Sequence, residues 1–130
     1  MYGLTLSKTD TSLHQFINNT VCIDGTDLNK MLTLSGIYDV IYDPYIIENL
    51  YNIPQAYDNI IRLLKVGGIF CSINTTGSFY TLHENFFLCT LSKEYGMEII
   101  KIIKTKKCII IAAKKIKTTD KTILSDPPLK

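Results

Sequence analysis

The stretch from Gly36 to Ile73, GIYDVIYDPYIIENLYNIPQAYDNIIRLLKVGGIFCSI, constrains the fold more than any other part of this chain. Ile37 to Ile41 is a short β-branched run, long enough for a buried strand and too short for a helix. Asp43-Pro44 then interrupts the pattern, because proline lacks an amide donor and restricts the residue before it. Asn52 is a candidate N-cap, with Pro54 in the first turn, where a missing N–H costs nothing. Tyr57, Ile60, Ile61 and Leu64 fall at i, i+3, i+4 and i+7, one apolar face of a helix. Arg62 and Lys65 come late, where cations suit the helix dipole, and Gly67-Gly68 is placed to supply the left-handed residue that stops a helix. Ile69 to Ile73 resumes as a strand. Two strands joined by one such helix form a βαβ unit, parallel and right-handed.

A chain of 130 residues is sized for one domain, enough to bury a core though small for an α/β enzyme. No apolar run approaches the ~18 residues of a membrane span, and the N-terminus lacks the basic and apolar regions of a signal peptide. The expectation is a cytoplasmic protein with no membrane partner. Cys22, Cys71, Cys89 and Cys108 are far apart with no C-x-x-C pair, and His14 and His83 are isolated. Buried reduced thiols are expected, and no metal site. Residues 1–100 are acidic on balance, whereas Lys101, Lys104, Lys106, Lys107, Lys114, Lys115, Lys117, Lys121 and Lys130 crowd the end. They read either as a nucleic-acid patch or as solvated strand edges and a charged tail. No arginine cluster or aromatic platform accompanies them, which favours the second reading.

The rest of the chain predicts an α/β order. Met1 to Leu6 reads as a strand, and Ser7 as the cap of a helix carrying Leu13, Phe16 and Ile17 on one face. Thr20 to Ile23 is a further strand, Asp24-Gly25-Thr26-Asp27 a turn, and Leu28 to Leu34 a brief helix. After the central unit, Asn74 to Ser78 is a polar loop and Leu82 to Tyr95 a helix ended by Gly96. Met97 to Ile103 and Lys107 to Ala113 form an antiparallel hairpin about Lys104-Thr105-Lys106. Residues 1–117 are expected as the domain and 118–130, with Pro127-Pro128, as an exposed tail.

YDVIYDPYIIENLYNIPQAYDNIIRLLKVGGIF resembles the second half of class I S-adenosylmethionine-dependent methyltransferases, in which a helix closes on L-K-P-G-G before a strand. Here that motif is Leu64-Lys65-Val66-Gly67-Gly68, with Val66 where proline is usual. The final helix, glycine and hairpin ending in Ala112-Ala113-Lys114-Lys115 resemble the family's last elements, and Tyr2-Gly3-Leu4-Thr5-Leu6-Ser7-Lys8 is similar to the V-x-G-L-T-L-S-K segment of cyclopropane-fatty-acid and mycolic-acid synthases. The match runs over nearly residues 2–117. It implies a Rossmann-like methyltransferase sheet, mostly parallel with a C-terminal antiparallel hairpin, and S-adenosylmethionine as cofactor. The family's first strand and its G-x-G-x-G loop precede the YGLTLS segment, which opens this sequence. That absence leaves three outcomes: a lost cofactor, a strand supplied by a homo- or hetero-oligomeric partner, or a rearranged sheet.

By the resemblance, Thr5 and Leu6 border the cofactor's ribose, Asp10 stands where a helpful glutamine is found, and Asp24-Gly25 faces the adenine. Tyr42 and Asn74 lie at other strand ends, where open α/β sheets place their sites. Asp24 can equally be a turn residue bonding its own backbone. Asp43-Pro44-Tyr45 occupies the place of acceptor-positioning residues, with Asp43 able to take a proton and Tyr45 beside it; the alternative is a strand-to-loop turn. His83 is either a base or a polar first-turn residue, and Tyr38, Tyr42, Tyr45, Tyr51 and Tyr57 either line a pocket or pack the sheet. Three functions follow: a methyltransferase completed by a partner chain, a non-catalytic methyltransferase-like interaction subunit, or a nucleic-acid-binding module. The methyl acceptor is not legible.

Overall fold

The computed structural model describes residues 1–29, 35–75 and 88–125. Six strands, β1 (Tyr2–Thr5), β2 (Asn19–Cys22), β3 (Tyr38–Pro44), β4 (Leu64–Thr75), β5 (Met97–Lys104) and β6 (Cys108–Lys115), form one sheet in the order β2-β1-β3-β4-β6-β5. The pairs β1–β2, β1–β3 and β3–β4 are parallel, whereas β6 runs antiparallel to both β4 and β5. The expected mostly parallel sheet with a closing hairpin is therefore present. The position that the sequence leaves open is closed: β1 pairs directly with β3, Leu4 opposite Ile41 and Thr5 opposite Tyr42. Between β1 and β3 the sheet is continuous without a further strand.

Helix α1 (Ile53–Leu63) crosses from β3 to β4 and begins as the sequence predicts. The Asn52 side chain accepts from Gln55 N at 3.1 Å, satisfying a first-turn amide that the helix cannot. Its apolar face meets a row of side chains brought into line by strand register: Leu4, Ile41, Phe70 and Ala113, all buried. Tyr57 packs edge-on against Phe70, ring centroids 6.0 Å apart. On the opposite face Val40, Tyr42 and Cys71 are half-buried. There Gly3 makes room for the loop after β1, since a Cβ would lie 3.1 Å from Leu13 Cδ2.

Several local expectations fail for physical reasons. The glycines do not end α1. Leu64 is already extended (φ −71°, ψ 139°), and Gly67 (φ 91°) and Gly68 form a bulge in β4. From Tyr38 to Val40 β3 advances two residues, while β4 runs from Leu64 to Ile69. The helix ends where other groups take its carbonyls. Gly36 N donates to Arg62 O at 2.9 Å and Ile37 N to Leu63 O at 2.9 Å. Lys115 Nζ donates to Ile61 O at 2.7 Å and Leu64 O at 2.8 Å. Lys115, expected on a solvated edge, is thus buried, and burial lowers its pKa from the ordinary lysine range.

The helix expected after Ser7 is only a 3₁₀ turn at Ser12–Gln15, and Phe16 is 82 % exposed. The Ser7 and Asp10 side chains instead accept backbone amides within the loop. Leu28 lies in a 3₁₀ turn, Gly25–Asn29, and residues 30–34 of that expected helix lie outside the described residues. Residues 88–90 are helical and Lys93–Tyr95 is a 3₁₀ turn ended by Gly96 at φ 80°; the start of that expected helix, His83 included, also lies outside. Asn74 and Thr75 belong to β4 rather than to a loop. The segment after β6 is anchored as well as exposed: Asp58 accepts Ile123 N at 2.7 Å and Leu124 N at 3.0 Å, and Ile123 is buried.

Replacing Lys115 by Met keeps the apolar stem and removes both donors to the end of α1. Loss of charged hydrogen bonds to buried carbonyls is expected to cost about 2–3 kcal/mol. Urea denaturation of the two proteins measures it, and equal midpoints would refute the capping role.

Candidate functional site

The chain passes from β1 outward to β2, then back across β1 to β3, so β1 and β3 flank a topological switch point. Loops leaving neighbouring strands diverge there and open a crevice at the carboxyl ends. A cleft of about 370 Å³ occupies that place. Leu6 and Ser7 follow β1, Asp24 and Gly25 follow β2, and Tyr45 and Ile46 follow β3, all lining it. Four sequence-selected residues, Leu6, Asp24, Gly25 and Tyr45, are thereby brought together.

The others are not. Thr5 is fully buried, its Oγ1 without a hydrogen-bond partner. Tyr42 projects to the opposite sheet face, beside Val40, Cys71 and Phe16, in a separate apolar hollow of about 270 Å³. Burial and then the charge of Asp10 raise the pKa of its phenol. Asp10 accepts Ser12 N at 2.9 Å and does not line the cleft; the Ser12 side chain, and then that amide, lower its pKa.

Asp43 is fully buried in β3 and its carboxylate is occupied on both oxygens. Oδ1 accepts Ile46 N at 2.7 Å and Ile47 N at 3.1 Å, and Oδ2 accepts Ser72 Oγ–H at 2.6 Å. Asn74 Nδ2 donates onward to Ser72 Oγ at 3.1 Å. Of its two readings, proton acceptor and strand-to-loop turn, these bonds have the geometry of the turn and tie Asp43 to the loop that forms the cleft wall. Burial pushes its pKa up to about 6, against the lowering effect of Ser72 and the two amides. Tyr45 lies in the left-handed region at φ 61°, a conformation that side chains other than glycine avoid. Its backbone is held from both sides: Tyr45 N donates to Ile73 O at 3.0 Å, and Tyr45 O accepts Asn49 Nδ2 at 2.9 Å. The phenol is pushed above its ordinary pKa by desolvation and then by Cys108, so near neutrality it carries its proton and is able to donate a hydrogen bond.

Sequence reasoning missed Lys8, Ile46, Asn49 and Leu50 on the cleft wall. The signal available was Asp43 itself, since aspartate three residues before an amide is a turn-capping pattern. Gly25 is a packing glycine. A Cβ there would lie 3.0 Å from Leu6 O and would run into the Ile46 side chain. Among the described residues no group of His, Cys, Asp and Glu could hold a metal, and no helix is long and apolar enough to cross a membrane. All four cysteines are free thiols, half-buried.

No family model and no curated protein matches the sequence. Solved structures match the fold. An S-adenosylmethionine-dependent methyltransferase from Aquifex aeolicus superposes with a TM-score of 0.59 at 11% identity, covering 88% of this chain and 68% of its own. The 1,6-didemethyltoxoflavin-N1-methyltransferase of Burkholderia thailandensis, solved with S-adenosylhomocysteine, gives 0.58 at 11% identity, covering 89% and 61%. The [4+2]-cyclase SpnF gives 0.57 at 12% identity, covering 88% and 66%. The fold is that of class I methyltransferases, and the cyclase shows that this fold is not confined to methyl transfer.

Between about pH 4 and pH 6 folded Asp43 holds a proton that the unfolded chain has released. Stability therefore falls as pH rises through that window, on the order of 3 kcal/mol in total. Asp43→Asn keeps an acceptor for the two amides and cannot titrate. Its unfolding free energy relative to the parent should rise across the same window and level off above it. Parallel pH profiles from chemical denaturation would show that Asp43 does not titrate there.

Proposed function

We propose that this chain is an S-adenosylmethionine-dependent methyltransferase-like domain whose cleft takes the adenosyl half of the cofactor. The observation that carries this reading is the convergence of Leu6, Asp24 and Tyr45 from three strand ends at the switch point. Ile46 and Leu50 offer apolar surface for a purine, Asp24 an acceptor for hydroxyl or amine hydrogens, and Lys8 a cation for a carboxylate. When bound, the cofactor would supply an activated methyl group. The chain's part in transfer is to hold donor and acceptor in line and to exclude water, so orientation supplies most of the rate. Tyr45, partly exposed at the rim, is the residue placed to orient an acceptor by hydrogen bonding. Asp43 is a positioning residue, fixing the wall through the amides of Ile46 and Ile47.

The cleft is open, and its one glycine is committed to packing. Activity accordingly requires a partner chain that covers it and donates backbone amides. One fold neighbour comes from the Haloferax volcanii complex of the Trm112 methyltransferase activator, which is consistent with such an arrangement. The second reading, a non-catalytic interaction subunit, is favoured by the half-buried apolar side chains of Val40, Tyr42 and Cys71 on the sheet face away from α1.

Calorimetry with S-adenosylmethionine and S-adenosylhomocysteine tests the first reading. Binding is expected, weakened at least tenfold by Asp24→Ala. Absence of binding by the chain and by its purified assembly would exclude the enzyme and leave the interaction subunit. In light scattering, a strict monomer that pulls down no partner would then count against the latter.

A further inference from the structure

A second cavity, about 400 Å³, lies at the other end of the sheet from the cofactor cleft. It is bounded by the last turn of α1, the start of β4, the end of β6 and the anchored segment after it. Four cationic side chains, Arg62, Lys65, Lys115 and Lys121, line it against one carboxylate, Asp58. Asp58 spends its two oxygens on the amides of Ile123 and Leu124. Ser35, Thr118, Thr119 and Thr122 add hydroxyls to the rim, while Ile61, Leu64 and Tyr95 give an apolar floor.

A helix carboxyl end normally repels anions. Here that objection is removed, because the terminal carbonyls of α1 are taken by Gly36, Ile37 and the Lys115 ammonium. Lys65 and Lys121 have acidic neighbours, Asp39 at 3.6 Å and Glu94 at 2.8 Å, both pairs partly in solvent and so weakly held. Arg62 is the exception. It donates to Asn59 Oδ1 at 2.6 Å, but its Nε is buried without an acceptor. A buried, unfilled guanidinium donor in a cationic cavity calls for an anionic oxygen.

We propose that this cavity binds a small phosphorylated ligand, its phosphate oxygens on Arg62 and the lysine rim and its apolar or aromatic part on the Ile61–Tyr95 floor. The site is independent of the cofactor cleft, since Arg62 and Lys121 lie at the opposite strand ends from Asp24. Calorimetry of the full chain with inorganic pyrophosphate and with guanosine diphosphate tests it, neither probe carrying the adenosyl group of the other site. Both should bind, the nucleotide more tightly, and both more weakly as salt rises. Arg62→Gln should lose at least tenfold in affinity. Lys121→Ala, at an exposed position where folding is not at stake, should lose at least threefold, and S-adenosylhomocysteine should not compete. No binding of either probe at millimolar concentration would overturn the site, as would undiminished binding by both variants. Tighter binding of an oligonucleotide than of guanosine diphosphate would overturn it in favour of a nucleic-acid surface.

Discussion

The structure depends on how the carboxyl end of α1 is satisfied. A helix leaves its last carbonyls without intrahelical donors, and a buried carbonyl without a partner is costly. Here Ile60 O is closed by Leu64 N, Arg62 O and Leu63 O by the chain entering β3, and Ile61 O and Leu64 O by Lys115. One set of bonds therefore ties the helix to the strand before it, the strand after it and the last strand of the sheet. It also fixes where β4 begins, because Leu64 goes straight from helix to strand.

The same logic acts at the other end of β3. Asp43 stands opposite Ser72, which stands opposite Ile111, and both are buried. A carboxylate there is tolerated because three donors converge on it, two from the loop that walls the cleft and one, Ser72, from β4. The left-handed backbone of Tyr45 persists for a related reason, since Ile73 and Asn49 hold it from both sides. Glu48 adds a further tie, accepting Thr75 N and Thr75 Oγ1 at 3.0 Å each. The cleft wall is thus built from polar bonds between the ends of β3 and β4, and its shape follows from the crossover.

What the sequence revealed follows from how local each signal is. The Asn52 cap, the Tyr57–Ile60 face and the turn between β5 and β6 depend on neighbours within a few residues, and each lies where the pattern placed it. The Ser7 helix failed because Ser7 and Asp10 offered their own backbone a competing set of bonds, and because Leu13 and Ile17 could pack on Gly3 without a full helix. Of the site residues, those at strand ends converged wherever the strands are parallel neighbours. Tyr42 and Asp43 departed because consecutive strand residues face opposite sides, one toward the hollow beside Cys71 and one into the core under α1.

By itself the sequence determined the order of the strands, the Asn52 cap and the apolar face of α1, since these are settled within a segment by side-chain spacing and backbone preference. Only the tertiary structure decided that β1 pairs with β3, that Gly67-Gly68 makes a bulge rather than a helix stop, and that Lys115 is a buried cap. The reason is range. The carbonyl that Lys115 serves at Ile61 is 54 residues away along the chain, and no local pattern can register a partner that folding alone brings within 2.7 Å.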